Sequence, residues 1–185
     1  MTKLTLIKNR KNKGFSLLEI LLVLAIAAAL VIGAFIVYPK VQAGARADAE
    51  SKNISTIVAG IKSLYTSSST YTGLTNAVAA NAKIFPDNML NGSSTTPINA
   101  WKGDVTVAAA ATGPSSTAGS SFTITYTAVP AAECAKIVSG LAGTFYTVSV
   151  GSTAVKTADG TLDVAAMTTA CNGGGNSNTL LFTSL

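Results

Sequence analysis

No histidine occurs in the 185 residues, cysteine occurs twice, acidic residues number eight, and only 6% of the chain is aromatic. Without histidine, and with so little cysteine, the usual ligand set of a zinc or copper centre is missing. Acids this few and this scattered supply no visible general-base or nucleophile pairing. The sequence therefore predicts no enzyme, no cofactor and no metal site. Acidic charge is absent altogether before Gly14, where five of the thirteen basic residues fall: Lys3, Lys8, Arg10, Lys11 and Lys13. Past Gly14 the formal charge is zero, so the sequence pI of about 9.3 reflects a short leader. A basic leader against an apolar run is the layout of a membrane-targeting segment, and no specific nucleic-acid partner is expected.

What the sequence has in abundance is apolar length. Residues 15–37 read FSLLEILLVLAIAAALVIGAFIV, 23 residues with a single charge. As a helix this is long enough to cross the hydrocarbon core of a bilayer, with the basic side held in the cytoplasm. Glu19 is the exception. A carboxylate inside an apolar helix costs about 2.5 to 3.5 kcal/mol on insertion scales, and such a residue normally has a partner. Two plainer readings of the segment compete. A secretory signal cleaved near Val41, Gln42 and Ala43 should have a shorter apolar region and no acid in it. A simple anchor would let Glu19 reach back to the cytoplasmic interface.

The junction KGFSLLE at residues 13–19 resembles the processing site of the class III signal sequences of type IV prepilins. The resemblance implies a prepilin peptidase that cuts between Gly14 and Phe15 and methylates the new amino terminus on Phe15. It makes Glu19 the fifth mature residue, where that family carries a glutamate. The chemistry is coherent: cleavage creates an amine about one helical turn from a carboxylate. In a bundle of staggered helices, Glu19 of one subunit can pair with the Phe15 amine of the next and set their axial register. Stripping one member from such a buried pair typically costs about 3 to 5 kcal/mol, so a contact of modest net strength still discriminates strongly. Gly14 suits a cleavage site because nothing on it obstructs approach to the backbone.

Beyond the apolar run, Ile54, Ile57, Val58, Ile61, Leu64 and Tyr65 recur at steps of three and four and predict that one long helix continues to about residue 65. Gly33 and Pro39 interrupt it, and a kink or local melting is expected over residues 33–39, either where the helix leaves the membrane or as a stretch that loosens on assembly. Residues 66–100 read as loop with a short helix near 75–82, marked by turn signals at Pro86, Asp87 and Asn88 and at Asn91 and Gly92. Strands are predicted at 105–109, 122–129, 144–150 and 179–183, and helices at 131–141 and 163–171, the latter capped by Asp163. Each of these helices carries one cysteine, and in an exported chain Cys134 and Cys171 are expected to form a disulfide. The bond closes 37 residues, worth roughly 3.8 kcal/mol by chain entropy. Asp159 and Gly160 read as a turn before the Asp163 cap in preference to a calcium loop. Trp101 beside Lys102 reads as packing and not as a glycan contact, and residues 172–176 as a flexible link.

Further segments resemble type IVb pilins of the bundle-forming and conjugative thin-pilus kind: YTGL at 71–74, IFPDNM at 84–89, NAWKG at 99–103, AEC at 132–134 and TAC at 169–171. Phe15 as first mature residue is more usual in the IVa subclass, the leader is shorter than many IVb leaders, and Lys102 stands where the IVb pattern commonly has a second glycine. The resemblance implies an α+β fold in which a long N-terminal helix packs on a mainly antiparallel sheet with additional helices. Its parts are a cleaved leader (1–14), the helix (15–66, hydrophobic over 15–38 and amphipathic over 39–66) and a head with a C-terminal disulfide (67–185). It implies a major pilin that waits in the inner membrane with its head in the periplasm and polymerises into an extracellular fibre for adhesion, aggregation or conjugation-type contact. Its partners would be further copies of itself, the prepilin peptidase, an inner-membrane platform with its ATPase, and an outer-membrane secretin. The rival readings are a minor pilin or type II secretion pseudopilin, and a membrane-anchored binding protein that never polymerises.

Overall fold

The computed structural model describes residues 14–91 and 95–185. The leader cations at positions 3 to 13 and Gly92 lie outside the described residues. Among the described residues four α-helices and five strands follow one another: α1 (Leu17–Leu64), α2 (Asn76–Asn81), β1 (Val105–Ala110), β2 (Ser121–Val129), α3 (Ala131–Leu141), β3 (Thr147–Val150), β4 (Thr153–Lys156), α4 (Val164–Gly173) and β5 (Asn178–Ser184). Short 3-10 turns occupy Asp87–Met89 and Ala142–Thr144. The chain divides into two compact units, one ending at Lys40 and one running from Val41 to Leu185.

In the first unit α1 is apolar on every side and exposed throughout. In the isolated chain the helix runs on through Gly33 and Pro39. Proline removes one backbone hydrogen bond there without interrupting the helix.

In the second unit the continuing helix turns one stripe inward: Ala47, Glu50, Ile54, Ile57 and Ile61 are buried. Val58 and Tyr65 are half-buried against the same core. Leu64 is a correction to the sequence pattern, since it lies outside the stripe and is 44% exposed. Fully burying an isoleucine contributes about 1.5 to 3 kcal/mol, so Ile54, Ile57 and Ile61 hold this half of the helix to the core formed by Phe122, Ile124, Tyr126, Leu180 and Phe182.

All strand pairings are antiparallel, in the order β1-β2-β5-β3-β4. The most C-terminal strand therefore lies between two earlier ones. β2 carries a register shift between Tyr126 and Val129, where Ala128 takes a φ of 57°. β3 begins three residues later than the sequence predicts, because residues 142–144 close a 3-10 turn in which the Thr144 hydroxyl bonds to the Leu141 carbonyl. β4 was not predicted; it is four residues long and returns through a tight turn at Gly151, whose φ is 57°. Both outer strands are tied. The Asn76 side chain accepts from the Val107 amide at 2.7 Å and donates to the Val105 carbonyl at 3.0 Å. The Asp163 amide donates to the Val155 carbonyl at 2.9 Å. Unpaired strand edges template association with other chains, and these contacts occupy part of both.

Candidate assembly site on the amino-terminal helix

At the start of α1 the Ile20 amide donates to the Ser16 carbonyl at 3.1 Å. Glu19 lies in the first turn, where the positive end of the helix dipole favours a carboxylate. Spacing of four puts Phe15, Glu19 and Val23 on one face. These three, with Ile20 and Leu24, line a shallow recess. Glu19 has no ion-pair partner among the described residues. A second recess, formed by Val31, Ala34, Phe35 and Tyr38, continues the apolar surface. Phe15 is 77% exposed, and Leu17, Leu30 and Phe35 are comparably bare. A continuous apolar surface of this extent marks a membrane or protein contact. By length and composition α1 can cross a membrane. Of the residues singled out in the sequence, Phe15 and Glu19 share the first recess and Gly14 immediately precedes Phe15. Gly33 and Pro39 lie further along the same helix, and the cysteines belong to the head.

Sequence reasoning missed the residue that fixes the other half of α1. Glu50 is 3% exposed. Its carboxylate accepts from the Ala100 amide at 2.9 Å and from the Asn53 side chain at 3.2 Å. Burial, then the charge of Glu50 and a hydrogen bond to it, hold the Tyr126 hydroxyl well above its ordinary 10.0. The signal was present: positions 47, 50, 54, 57 and 61 follow helical spacing, and an acid among them must find donors.

The NAWKG segment provides that grip. The Asn99 side-chain oxygen accepts from the Trp101 and Gly103 amides, each at 2.9 Å, and its nitrogen donates to the Thr127 carbonyl at 2.7 Å. Lys102 sits at φ 67°, the left-handed region where glycine is at ease, which accounts for a glycine preference at this place. A Cβ on Gly103 would lie 2.0 Å from the Thr127 carbonyl oxygen, so no side chain fits. Trp101 packs against the core. A second tie joins α3 to α1, where the Lys136 ammonium meets Asp48 at 2.9 Å and the Gly44 carbonyl at 3.1 Å.

Cys134 on α3 and Cys171 on α4 are bonded and buried, with their Cα atoms 5.8 Å apart. The Asn178 amide nitrogen braces the same corner through the carbonyls of Val129, Cys171 and Gly175. Asp163 caps α4 by accepting from the Ala166 amide at 2.9 Å. The expected link at 172–176 is shorter than predicted, since Asn172 and Gly173 complete α4. Each feature of the head organises its own fold, and the surface left open is the apolar helix of the first unit.

Comparison with known proteins agrees. The family model described as PilS N terminal matches residues 44–185, and the prokaryotic N-terminal methylation motif matches residues 9–35. Among solved structures, the fold is similar to the type IV b pilin from Salmonella typhi, with a TM-score of 0.57 and 22% identity over 73% of this chain and 97% of that one. It is also similar to TcpA, a type IV pilin from the Vibrio cholerae El Tor biotype, with a TM-score of 0.55 and 13% identity over 78% of this chain and 99% of that one. No curated protein matches. A methylation motif over the bare apolar helix, followed by a PilS match across the whole disulfide-braced head, makes this chain a member of the type IV pilin family.

Proposed function

We propose that the chain is a major pilin of the IVb kind, whose work is to polymerise. The observation that carries this reading is the exposed apolar helix interrupted by a single carboxylate, Glu19. In this reading the peptidase cuts between Gly14 and Phe15 and methylates Phe15, after which α1 holds the subunit in the inner membrane with its head in the periplasm. An inner-membrane platform with its ATPase then draws subunits into a fibre that leaves through an outer-membrane secretin. Glu19 of each subunit pairs with the Phe15 amine of a neighbour, because a carboxylate and an amine in an apolar bundle each lack any better partner. Gly33 and Pro39 mark where α1 loosens as helices pack, since the proline has already removed one backbone bond there.

Mass spectrometry of surface-sheared fibres tests the reading. The subunit should begin at a methylated Phe15 and dominate the preparation. A subunit still beginning at Met1, or absent from the fibres, would favour an anchored binding protein, and a scarce one a minor pilin or pseudopilin. Glu19→Ala should abolish efficient assembly while leaving the head's melting temperature unchanged. Abundant normal fibres from that variant would refute the register role.

A further inference from the structure

On α1 and α4, serine and threonine hydroxyls turn back onto the backbone of their own helix. Ser51 bonds to the Ala47 carbonyl, Thr56 to that of Lys52, Thr66 to that of Lys62 and Thr168 to that of Val164. A groove on the head behaves differently. It runs between the β3–β4 turn, the end of α4 and the start of β5, with a volume of about 430 Å³, inside the roughly 300 to 1,000 Å³ of small-molecule sites. Ser152, Thr153, Thr169, Ser177 and Thr179 line it, and none of their hydroxyls is bonded to another described residue.

The floor supplies one more polar atom. Asn178 is 3% exposed. Its side-chain nitrogen donates to the carbonyls of Val129, Cys171 and Gly175, which fixes the orientation of the amide and leaves Oδ1 without a donor among the described residues. Gly174 lies beside that oxygen. A Cβ there would stand 2.1 Å from Oδ1, so glycine at this position keeps the oxygen open to the groove.

The lining narrows the ligand class. Among the described residues that form it none is charged or aromatic, and the aliphatic side chains are Val150 and Ala170. A phosphate, an ionised peptide or a lipid tail therefore finds no counterpart here. The nearby backbone is already paired, the Gly151 amide with the Thr179 carbonyl and the Ser177 amide with the Gly174 carbonyl, so the groove presents no strand edge to a peptide. Hydroxyls that each donate and accept, together with a bare amide oxygen, match a ligand that carries many hydroxyls of its own.

We infer that this groove binds a neutral saccharide, with Asn178 Oδ1 accepting from a sugar hydroxyl and Thr153 and Thr169 bonding to it from β4 and α4. The site is built within one head, so it does not rest on polymerisation and adds a recognition function to a structural subunit.

The test uses the full chain, isotope-labelled and held in micelles of a detergent without a sugar headgroup. Titration with galactose, N-acetylglucosamine, lactose and maltose should shift the amide resonances of Gly151, Gly173 and Gly174 for at least one sugar, and the anionic N-acetylneuraminic acid should not. Thr153→Val and Thr169→Val, both at exposed positions, should each weaken binding about three- to tenfold, the worth of one hydrogen bond. Thr168→Val should leave affinity unchanged, because that hydroxyl is bonded within α4 and lies outside the groove. Shifts with none of the sugars, shifts centred elsewhere on the head, an equal response to N-acetylneuraminic acid, or affinity indifferent to both groove substitutions overturns the inference. Retention of the chain on beads carrying the producing cell's own polysaccharide, or on beads carrying mucin stripped of acidic sugars, names the source of the saccharide, and retention on neither assigns the site to a free sugar. Every readout is made on the unassembled chain, so a failure here leaves the pilin reading intact, and a failure of that reading leaves the site standing.

Discussion

The two units of this chain treat the same kinds of residue in opposite ways. From residue 15 to residue 40 the apolar side chains are bare, and the acid among them, Glu19, has no ion-pair partner among the described residues. From Val41 onward the large apolar residues are mostly inside, and the buried acid of the helix, Glu50, is bonded to Ala100 and Asn53. One helix therefore carries two glutamates, Glu19 and Glu50, with two different needs. The head satisfies its own buried acid and part of its own sheet edges, whereas the apolar segment satisfies nothing by itself and depends on lipid or on other copies. A surface that is complete alone stabilises a fold, and one that is incomplete alone specifies an assembly.

That contrast can be broken first at the disulfide. Replacing Cys134 and Cys171 by Ala should lower head stability by about 3 to 4 kcal/mol, measured as a shift in a denaturant melt of the detergent-solubilised chain. A loss confined to fibre yield would mean that the bond serves the assembly. Next in size, Glu50→Ala should cost about 1 to 3 kcal/mol, since it removes a buried, charge-assisted acceptor from the Ala100 amide and the Asn53 side chain. Glu50→Gln should recover part of that loss. If Glu50→Ala instead leaves the melt untouched and blocks assembly as Glu19→Ala does, the division between the two acids is wrong.

A sharper version uses pH. Burial and Glu50 raise the Tyr126 hydroxyl above its ordinary 10.0 in the folded head. The protonated form is thus favoured by folding. The associated stability is complete below about pH 10 and is lost as pH rises from there toward the raised folded value. Tyr126→Phe should flatten the alkaline side of the stability profile while leaving neutral pH nearly unchanged. The smallest effect expected is a gain: Lys83→Gly removes a lysine from the left-handed region, at a φ of 53°, and should stabilise the head by about 0.5 to 1 kcal/mol.

Much of this was legible where a local rule acts alone. The helix at 131–141 follows Pro130 and ends where its apolar face ends, and Asp163 caps the helix it was assigned to. The apolar segment was legible because 23 nearly uncharged residues allow few structures. What stayed hidden depends on partners distant in the chain. Glu50 looks like one more surface acid until Ala100, fifty residues away, supplies a donor. β4 has no apolar alternation strong enough to announce a strand, with only Val155 buried among its four residues, and it exists because β3 pairs with it. Leu64 matches the helical period yet lies outside, because the stripe's last buried position is Ile61.

The place of β5 has a consequence for the order of events in the cell. It follows the other four strands in synthesis but fills the gap between β2 and β3, so a partly made head holds two separate fragments of sheet with their middle missing. Those fragments cannot share one interior until the final strand slides in, and a subunit cut short of it has no continuous surface to offer a neighbour. The topology thus makes closure of the single sheet depend on β5.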